Sequence, residues 1–192
     1  MEYEQIEKEV EKTLSAKRFK HSQGVAKRAQ ELARIYGADE QVAKKVGIAH
    51  DIAKEMSRQD ALQYLQENHI VLDEIEQQVM SLWHSKIGAD ICQKKFGFTD
   101  EEKQAVMYHT IGNVNMSLLD KIIYIADKTE EGRTSIDLET AKKICDTNLE
   151  EGLLYVSGIS VTYSISKQSM VHPDTIFLMN EIIRNRRNQK EI

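Results

Sequence analysis

Proline occurs once in this chain of 192 residues, at Pro173, and the nine glycines fall mostly between stretches with helical periodicity. A chain with so few breakers can sustain long helices, whereas sheet proteins need frequent turn residues. Apolar residues recur at intervals of three and four along most of the sequence, which is typical of amphipathic helices with one buried face. We therefore predict an all-α protein whose residues 1–192 form a single domain.

Capping residues and breaks in periodicity divide the chain into predicted helices. The stretch 118–128 is apolar nearly all round, which predicts a helix at the centre of the fold. The β-branched stretch 158–166 would lack a partner strand, so we predict helix there too. The predicted helices cover residues 4–14, 17–36, 39–55, 57–65, 73–96, 99–109, 118–128, 137–156 and 158–166, and the last helix begins at Pro173.

Composition excludes several classes of function. The formal net charge of −5 argues against a nucleic-acid partner, which usually requires a basic surface. No apolar run approaches the roughly 18 residues of a membrane span. The cysteines Cys92 and Cys145 have no metal or redox spacing, and the acidic N-terminus lacks the apolar core of a signal peptide. Together these features predict reduced thiols and a cytoplasmic protein. The sequence leaves open whether the chain forms a homodimer.

Imidazoles and carboxylates recur on the predicted inward faces of the helices. A lone histidine on an apolar face is usually a satisfied core residue, and His21 taken alone would be one. Asp127 is harder to dismiss, because a buried carboxylate is costly unless it is paired or binds a metal. The positions that share this inward placement are His21, His50-Asp51, His84, His109 and Asp127.

Two imidazoles and two carboxylates, from His21, His50, Asp51 and Asp127, would give a mixed nitrogen and oxygen ligand set. Such a set suits octahedral iron, manganese, cobalt or magnesium better than a closed zinc site. Four protein ligands leave two positions for water and a substrate oxygen, as a hydrolase requires. Lys54 lies on the same helix face as His50-Asp51, where an ammonium could meet an anionic oxygen.

His84 and His109 admit two interpretations. They could hold a second metal ion, with Asp51 bridging the two ions. They could instead donate hydrogen bonds to phosphate. The residues alone do not decide between one ion and two.

The motifs together resemble the HD-domain metal-dependent phosphohydrolases. The resemblance is closer still to the bacterial YqeK-like family of symmetrical bis(5′-nucleosyl)-tetraphosphatases. It extends from residue 18 to about residue 180. The motifs that carry it are RFKHS (18–22), GVA (24–26), GIAHDIAKE (47–55), HSKIGA (84–89), YHT (108–110), DKIIYIADK (120–128) and HPDT (172–175).

The resemblance implies an HD-domain helical bundle, with a motif core of about 18–130 and C-terminal helices 137–190 completing a nucleotide pocket. It implies hydrolysis of diadenosine tetraphosphate to two ADP with a divalent metal, iron foremost. The metal ligands would be His21, His50, Asp51 and Asp127. The catalytic residues would be Asp51, Lys54, His84 and His109. The substrate-binding residues would be His21, Lys54, His84, His109, Thr110, Asp127, Arg133, Met170, Val171, His172, Pro173, Asp174 and Thr175.

Other functions remain open at this point. The same site could act on a nucleotide or a cyclic dinucleotide. The chain could instead be a purine-nucleotide sensor with low turnover. A purely structural helical adaptor would leave the inward histidines and aspartates unexplained, because clusters of buried ionisable groups tend to be functional.

Overall fold

The computed structural model describes residues 1–134 and 137–190, with side chains up to residue 188. No strand occurs in these ranges, and a short 3₁₀ helix spans Met80–Leu82. The all-α prediction is confirmed. The α-helices of the described residues are α1 (Tyr3–Thr13), α2 (Ala16–Tyr36), α3 (Glu40–Ala49), α4 (Arg58–Glu67), α5 (Glu74–Gln78), α6 (Trp83–Phe96), α7 (Asp100–Tyr108), α8 (Leu118–Thr129), α9 (Leu138–Thr147), α10 (Leu149–Ser166) and α11 (Pro173–Lys190).

Helix α8 lies at the centre of the bundle, as its apolar sequence predicts. Its residues from Ile122 to Ala126 are completely buried. Helices α2, α3, α7, α9 and α10 pack around it. Because α8 ends at Thr129, Asp127 in its last turn is held at a fixed place beside the other helices. None of the helices in the described ranges is long and apolar enough to cross a membrane.

Helices α2 and α3 cross at very short range. A Cβ atom on Gly47 would lie 2.8 Å from the Cα of Ala26, closer than real side chains approach. The missing side chain lets the two backbones touch, and this contact brings His21 on α2 near His50 at the end of α3. The two imidazole centroids are 5.4 Å apart.

Helices α2, α8 and α9 are joined by one buried arginine. The Nε atom of Arg28 donates to Thr129 Oγ1 at 3.1 Å, and its Nη2 atom donates to Asp146 Oδ1 at 2.6 Å. Arg28 is only 3% exposed, so these partners satisfy a charge that water cannot reach.

The two predicted free thiols, Cys92 and Cys145, are also buried and unpaired.

Three predicted helices are shorter than their periodicity suggests. The predicted helix 39–55 ends at Ala49, and tight turns follow, with Ile52 N donating to Ala49 O and Lys54 N to Asp51 O. The predicted helix 73–96 is broken at Val79, whose ψ of 82° is not helical. The predicted helix 137–156 is broken at Asn148, whose extended backbone and side chain cap α10.

The helical prediction for 158–166 is correct, since these residues complete α10. Pro173 begins α11, as predicted. Apolar periodicity continues across the breaks because the flanking helices bury the same side, so periodicity alone could not reveal them.

Candidate metal centre

Four side chains converge where α2, α3 and α8 meet. His21 lies in α2, His50 ends α3, Asp51 occupies the next turn, and Asp127 is near the end of α8. The Nε2 atom of His21 is 3.1 Å from Asp127 Oδ1 and 3.7 Å from Asp51 Oδ2. The Nε2 atom of His50 is 3.5 Å from Asp51 Oδ2 and 3.7 Å from Asp127 Oδ1. The turn after α3 lets adjacent His50 and Asp51 face the same space.

The Nε2 atoms of His21 and His50 are buried and make no hydrogen bond to any described residue. In both rings the other nitrogen, Nδ1, lies near an oxygen. Nδ1 of His50 lies 2.7 Å from Gly47 O, and Nδ1 of His21 lies 3.1 Å from Glu130 Oε1. Because these oxygens can only accept, Nδ1 carries the proton of the neutral ring and Nε2 offers a lone pair. Two such lone pairs beside two carboxylates fit a divalent cation.

The charge around His50 supports the same assignment. Burial alone would lower the pKa of His50, but the carboxylates of Asp51 and Asp127 raise it to about 9. A fully buried imidazole with a raised pKa has strongly negative surroundings. A cation would neutralise these surroundings, so the residues present fit a metal ion.

The other carboxylate oxygen of Asp51 faces a second pair of imidazoles. Oδ1 lies 3.2 Å from His84 Nε2 and 3.6 Å from His109 Nε2, and these two nitrogens are 3.0 Å apart. Each ring turns Nδ1 to a nearby backbone carbonyl, His84 to Ser81 and His109 to Val106. Asp51 is therefore shared by two donor triads, one with His21 and His50 and one with His84 and His109.

The protonation states of the second triad follow from burial and charge. Burial alone would raise the pKa of Asp51, but His50 first, then His109 and His84, hold it well below its usual range. Burial lowers the pKa of His109 to about 4, and it also lowers the pKa of His84. Near pH 7, Asp51 is thus a carboxylate, and His84 and His109 present lone pairs rather than positive charge.

Two arginines balance the carboxylates. Arg18 Nη1 lies 3.0 Å from Asp51 Oδ2, and Arg133 Nη2 lies 2.5 Å from Asp127 Oδ1. Burial alone would raise the pKa of Asp127, but Arg133 first, then His21 and His50, hold it well below its usual range. Both carboxylates are therefore ionised and available as ligands.

Two lysines complete the cationic side of the site. Lys54 Nζ lies 3.2 Å from His84 Nε2. Lys128 Nζ donates to His109 O at 2.9 Å and lies 3.7 Å from the centre of the Tyr124 ring. Burial lowers the pKa of Lys54, and it lowers the pKa of Lys128 to about 8.

We call His21, His50, Asp51 and Asp127 the metal-ligand cluster, because they are the candidate ligands. A cavity of about 410 Å³ opens beside it; we call it the larger cavity. Its volume falls in the usual range for small-molecule sites, roughly 300 to 1,000 Å³. Cationic side chains form one side, which suits phosphates, and α10 forms another. The cations are Arg18, Lys54, Lys128 and Arg133, and the α10 residues are Val156, Ile159, Ser160, Tyr163 and Ser164.

Glu130 occupies a slot behind His21. Its Oε1 atom faces His21 Nδ1, and its Oε2 atom accepts from Gly132 N at 2.6 Å. A Cβ atom on Gly24 would lie 2.5 Å from Oε2, and one on Gly132 would lie 2.9 Å from Oε1. Both glycines therefore leave room for the carboxylate that orients His21.

The HD-domain family pattern matches residues 18–132, a span that contains every residue of both donor triads and Asp127. This chain belongs to the HD-domain family. The chain is 31% identical to a symmetrical bis(5′-nucleosyl)-tetraphosphatase from Bacillus subtilis (strain 168), over 91% of this chain and 94% of the relative. It is also 31% identical to a relative of the same name from Halalkalibacterium halodurans, over 88% and 91% respectively.

A solved structure shares the fold of this HD-domain protein. It is described as a predicted HD superfamily hydrolase involved in NAD metabolism from Clostridium acetobutylicum. The sequence identity is 32% and the TM-score is 0.91, with 96% of this chain and 98% of the other covered. The helices α9 to α11 beyond the matched HD segment are therefore part of the shared fold.

Most of the site residues predicted from the sequence lie together around Asp51. Those that line the larger cavity are Asp51, Lys54, His109, Thr110, Asp127 and Arg133. The hydroxyl oxygen of Thr110 lies 3.1 Å from His109 Nε2 and 3.3 Å from His84 Nε2. These contacts join the second imidazole pair to the cavity wall.

Residues 170–175, which the resemblance predicts to bind substrate, are not among the residues that line the larger cavity. His172 Nε2 instead lies 2.7 Å from Asp73 Oδ2, and Thr175 Oγ1 donates to Ile111 O at 2.7 Å. The segment thus packs beside the turn that follows Thr110.

The sequence predictions do not include Glu130, the cavity cations Arg18 and Lys128, or the α10 side of the larger cavity. Gly24 lies three residues after His21 and Glu130 three residues after Asp127, so both share a helix side with a ligand. That spacing was the available signal for Glu130. The cavity residues of α10 carry no chemical signature, and only their packing reveals them.

Proposed function

We propose that this chain is a metal-dependent hydrolase that splits diadenosine tetraphosphate symmetrically into two molecules of ADP. The observation that carries the proposal is Asp51, one ionised carboxylate between two imidazole pairs at the wall of a cavity lined by cations. The names of the similar Bacillus subtilis and Halalkalibacterium halodurans proteins supply the substrate class.

His21, His50, Asp51 and Asp127 would hold the divalent ion, for which we propose iron. Manganese, cobalt and magnesium are the alternatives that the same donor set accepts. When bound, such an ion supplies Lewis acidity and lowers the pKa of a coordinated water. The protein fixes the donors: Gly47 O and Glu130 orient the two imidazoles. Arg133 keeps Asp127 ionised, and the neighbouring imidazoles, His50 first, do the same for Asp51.

The tetraphosphate would bind on the cationic side of the larger cavity. Lys54 and Lys128 are mostly buried, so their interaction with a phosphoryl oxygen is weakly screened by water. Arg18 and Arg133 each pair with a different carboxylate, and both line the same cavity. Each guanidinium has further N–H groups that can donate to phosphate. These donors stabilise negative charge as it develops on the phosphoryl oxygens.

The segment 170–175 would contact the nucleoside. The hydrogen bond from Thr175 to Ile111 supports this role, because it ties the segment to the turn that borders the cavity. An adenosine that extends from the phosphates past Thr110 would meet this segment next.

His84 and His109 would act as lone-pair donors. Since each Nδ1 is tied to a backbone carbonyl, each neutral ring presents an unprotonated Nε2 to Asp51 Oδ1. This arrangement favours a second cation or a hydrogen bond from water over a cationic phosphate clamp.

The test of the proposed function combines metal analysis with product identification. Protein purified without oxygen should contain stoichiometric divalent metal, and chromatography after incubation with diadenosine tetraphosphate should show ADP as the only nucleotide product. Equal amounts of AMP and ATP would contradict symmetrical cleavage. Binding without turnover, after metals are restored, would instead support the sensor function.

A further inference from the structure

A second cavity, of about 240 Å³, lies next to the first; we call it the smaller cavity. It shares Lys54 and Ser81 with the larger cavity. Most of its remaining lining is apolar and comes from the turn after α3, from α4, from the 3₁₀ helix and from α6. The apolar lining residues are Ala53, Met56, Ala61, Met80, Trp83 and Ile87.

The smaller cavity reaches the metal-ligand cluster through His84. This residue forms part of the cavity wall, and its Nε2 atom is 3.2 Å from Asp51 Oδ1. The larger cavity reaches the same carboxylate directly. The two cavities are therefore neighbours beside Asp51, and Lys54 and Ser81 line both.

The two cavities differ in chemistry. The larger has arginine and lysine side chains on its wall, whereas Lys54 and His84 are the ionisable groups that line the smaller. The smaller cavity offers the indole of Trp83, the thioethers of Met56 and Met80, and aliphatic side chains. Such groups bind flat uncharged rings well, and methionine adapts its shape to what it contacts. Its volume is below the roughly 300 Å³ at which whole-ligand pockets begin, so it suits one part of a ligand.

We propose that the smaller cavity binds the second nucleoside of diadenosine tetraphosphate, while the larger cavity binds the phosphates and the first nucleoside. This proposal rests on the proposed function. Symmetrical cleavage requires the central anhydride at the metal ligands, with one nucleoside diphosphate on either side. Two neighbouring cavities that both border the groups around Asp51 can receive the two halves, and the apolar lining of the smaller suits a nucleoside rather than phosphate.

Kinetics on a shortened substrate test the assignment. Adenosine 5′-tetraphosphate keeps the four phosphates and lacks the second nucleoside. We expect the wild-type kcat/KM to favour diadenosine tetraphosphate by about tenfold or more, the size expected for moving one base from water into an apolar cavity. Equal values for the two substrates would overturn the proposal.

The variant Ala61→Phe fills the smaller cavity from its wall and should remove that preference. The matched control is Leu62→Phe, which adds a ring at a neighbouring position that is 46% exposed. The control should retain the wild-type preference. A folded Ala61→Phe variant that still prefers the dinucleotide by the wild-type factor would show that the cavity is a packing gap in the core.

Trp83 provides a measurement that needs no variant, because it is the only tryptophan of the chain and it lines the smaller cavity. Metal-loaded protein is titrated with a diadenosine tetraphosphate analogue in which a methylene group replaces the central bridging oxygen. This analogue should change the tryptophan emission, and adenosine 5′-tetraphosphate at saturation should leave it unchanged. Identical responses to both ligands, or none to either, would refute the assignment.

The two proposals fail in different ways. If AMP and ATP are the products, symmetrical hydrolysis is wrong whatever the fluorescence shows. If ADP is the only product but the tryptophan emission and the substrate preference show no second nucleoside, only the assignment of the smaller cavity is wrong.

Discussion

The two sides of Asp51 differ in charge although each carries a pair of imidazoles. On the Oδ2 side, His21 and His50 also face the carboxylate of Asp127. On the Oδ1 side, His84 and His109 face Asp51 and each other, with Lys54 nearby. Arg18 and Arg133 offset part of the negative charge on the Oδ2 side. The pKa of His50 is nevertheless raised to about 9, whereas burial lowers the pKa of His109 to about 4. The Oδ2 side is therefore the better cation site, and the Oδ1 side suits a more weakly bound ion or water. The same residue type serves different roles because its surroundings differ.

The largest effect should come from Asp51→Asn, which changes the residue common to both sides. Loss of the shared charge should remove metal and turnover together. The fall in kcat should exceed the roughly 10- to 100-fold typical of residues that only support a ligand. Metal content and kcat are measured on the same preparation. The exposed Asp60→Asn variant should keep both, and an active, metal-loaded Asp51→Asn variant would show that Asp51 is not a ligand.

The difference between the two sides can be tested with His50→Ala and His84→Ala. The first should lose the tightly bound ion, because His50 belongs to the more negative side. The second should retain that ion and lose turnover, by about 100-fold or more if it assists proton transfer or binds a second ion. Metal counts per chain separate the variants. Equal metal loss in both would mean that the two sides form one site.

Glu130→Gln should weaken metal binding while the fold persists. The carboxylate behind His21 raises the basicity of that imidazole, and its loss should cost about 10- to 100-fold in metal affinity. Competition with a chelator measures this affinity without turnover. Glu131→Gln, on an exposed neighbour paired with Lys27, is the matched control and should be unchanged. Wild-type affinity in Glu130→Gln would leave the residue a structural role only.

The smallest expected effect concerns the helix contact that brings the Oδ2 side together. Gly47→Ala forces α2 and α3 apart and should lower the free energy of unfolding by about 1–3 kcal/mol. The control is Gly158→Ala in α10, where the nearest atom to the new Cβ is 4.0 Å away. That change should be neutral or stabilising by up to about 1 kcal/mol, since alanine favours helix. Thermal melts compare the two, and equal melting temperatures would contradict the close-contact argument.

The sequence predicts the helices well where local signals determine them. Thr99 and Ser117 form capping boxes at the starts of α7 and α8. The breaks at Val79 and Asn148 were missed because apolar periodicity continues on both sides of them. The end of α3 at Ala49 was also missed, although it is this turn that aims His50 and Asp51 together.

At the candidate site, too, the sequence predicts some residues and misses others. The resemblance of the motifs predicts the four imidazoles that converge on Asp51, because their chemistry is visible in the residue types. It does not predict Arg18, whose Nη1 lies 3.0 Å from Asp51 Oδ2. Glu130 was not predicted, since its role depends on the room left by Gly24 and Gly132. The smaller cavity is also invisible in the sequence, because Ala61 and Met56 become its wall only after α4 and α6 pack.

Arg28 has a consequence for how much of the chain folds as one cooperative unit. The HD-domain match ends at residue 132, but the guanidinium of Arg28 is paired with Asp146 of α9, beyond that boundary. A truncated chain ending after α8 would lose Asp146, the shortest contact of this guanidinium, and would keep only Thr129 and Glu31, whose Oε2 lies 3.4 Å from Nη1. Losing that partner should be destabilising. The truncation would also strip Leu153 and Val156 from the core. We therefore expect the cooperative folding unit to extend beyond residues 18–132, the segment that the HD-domain pattern matches.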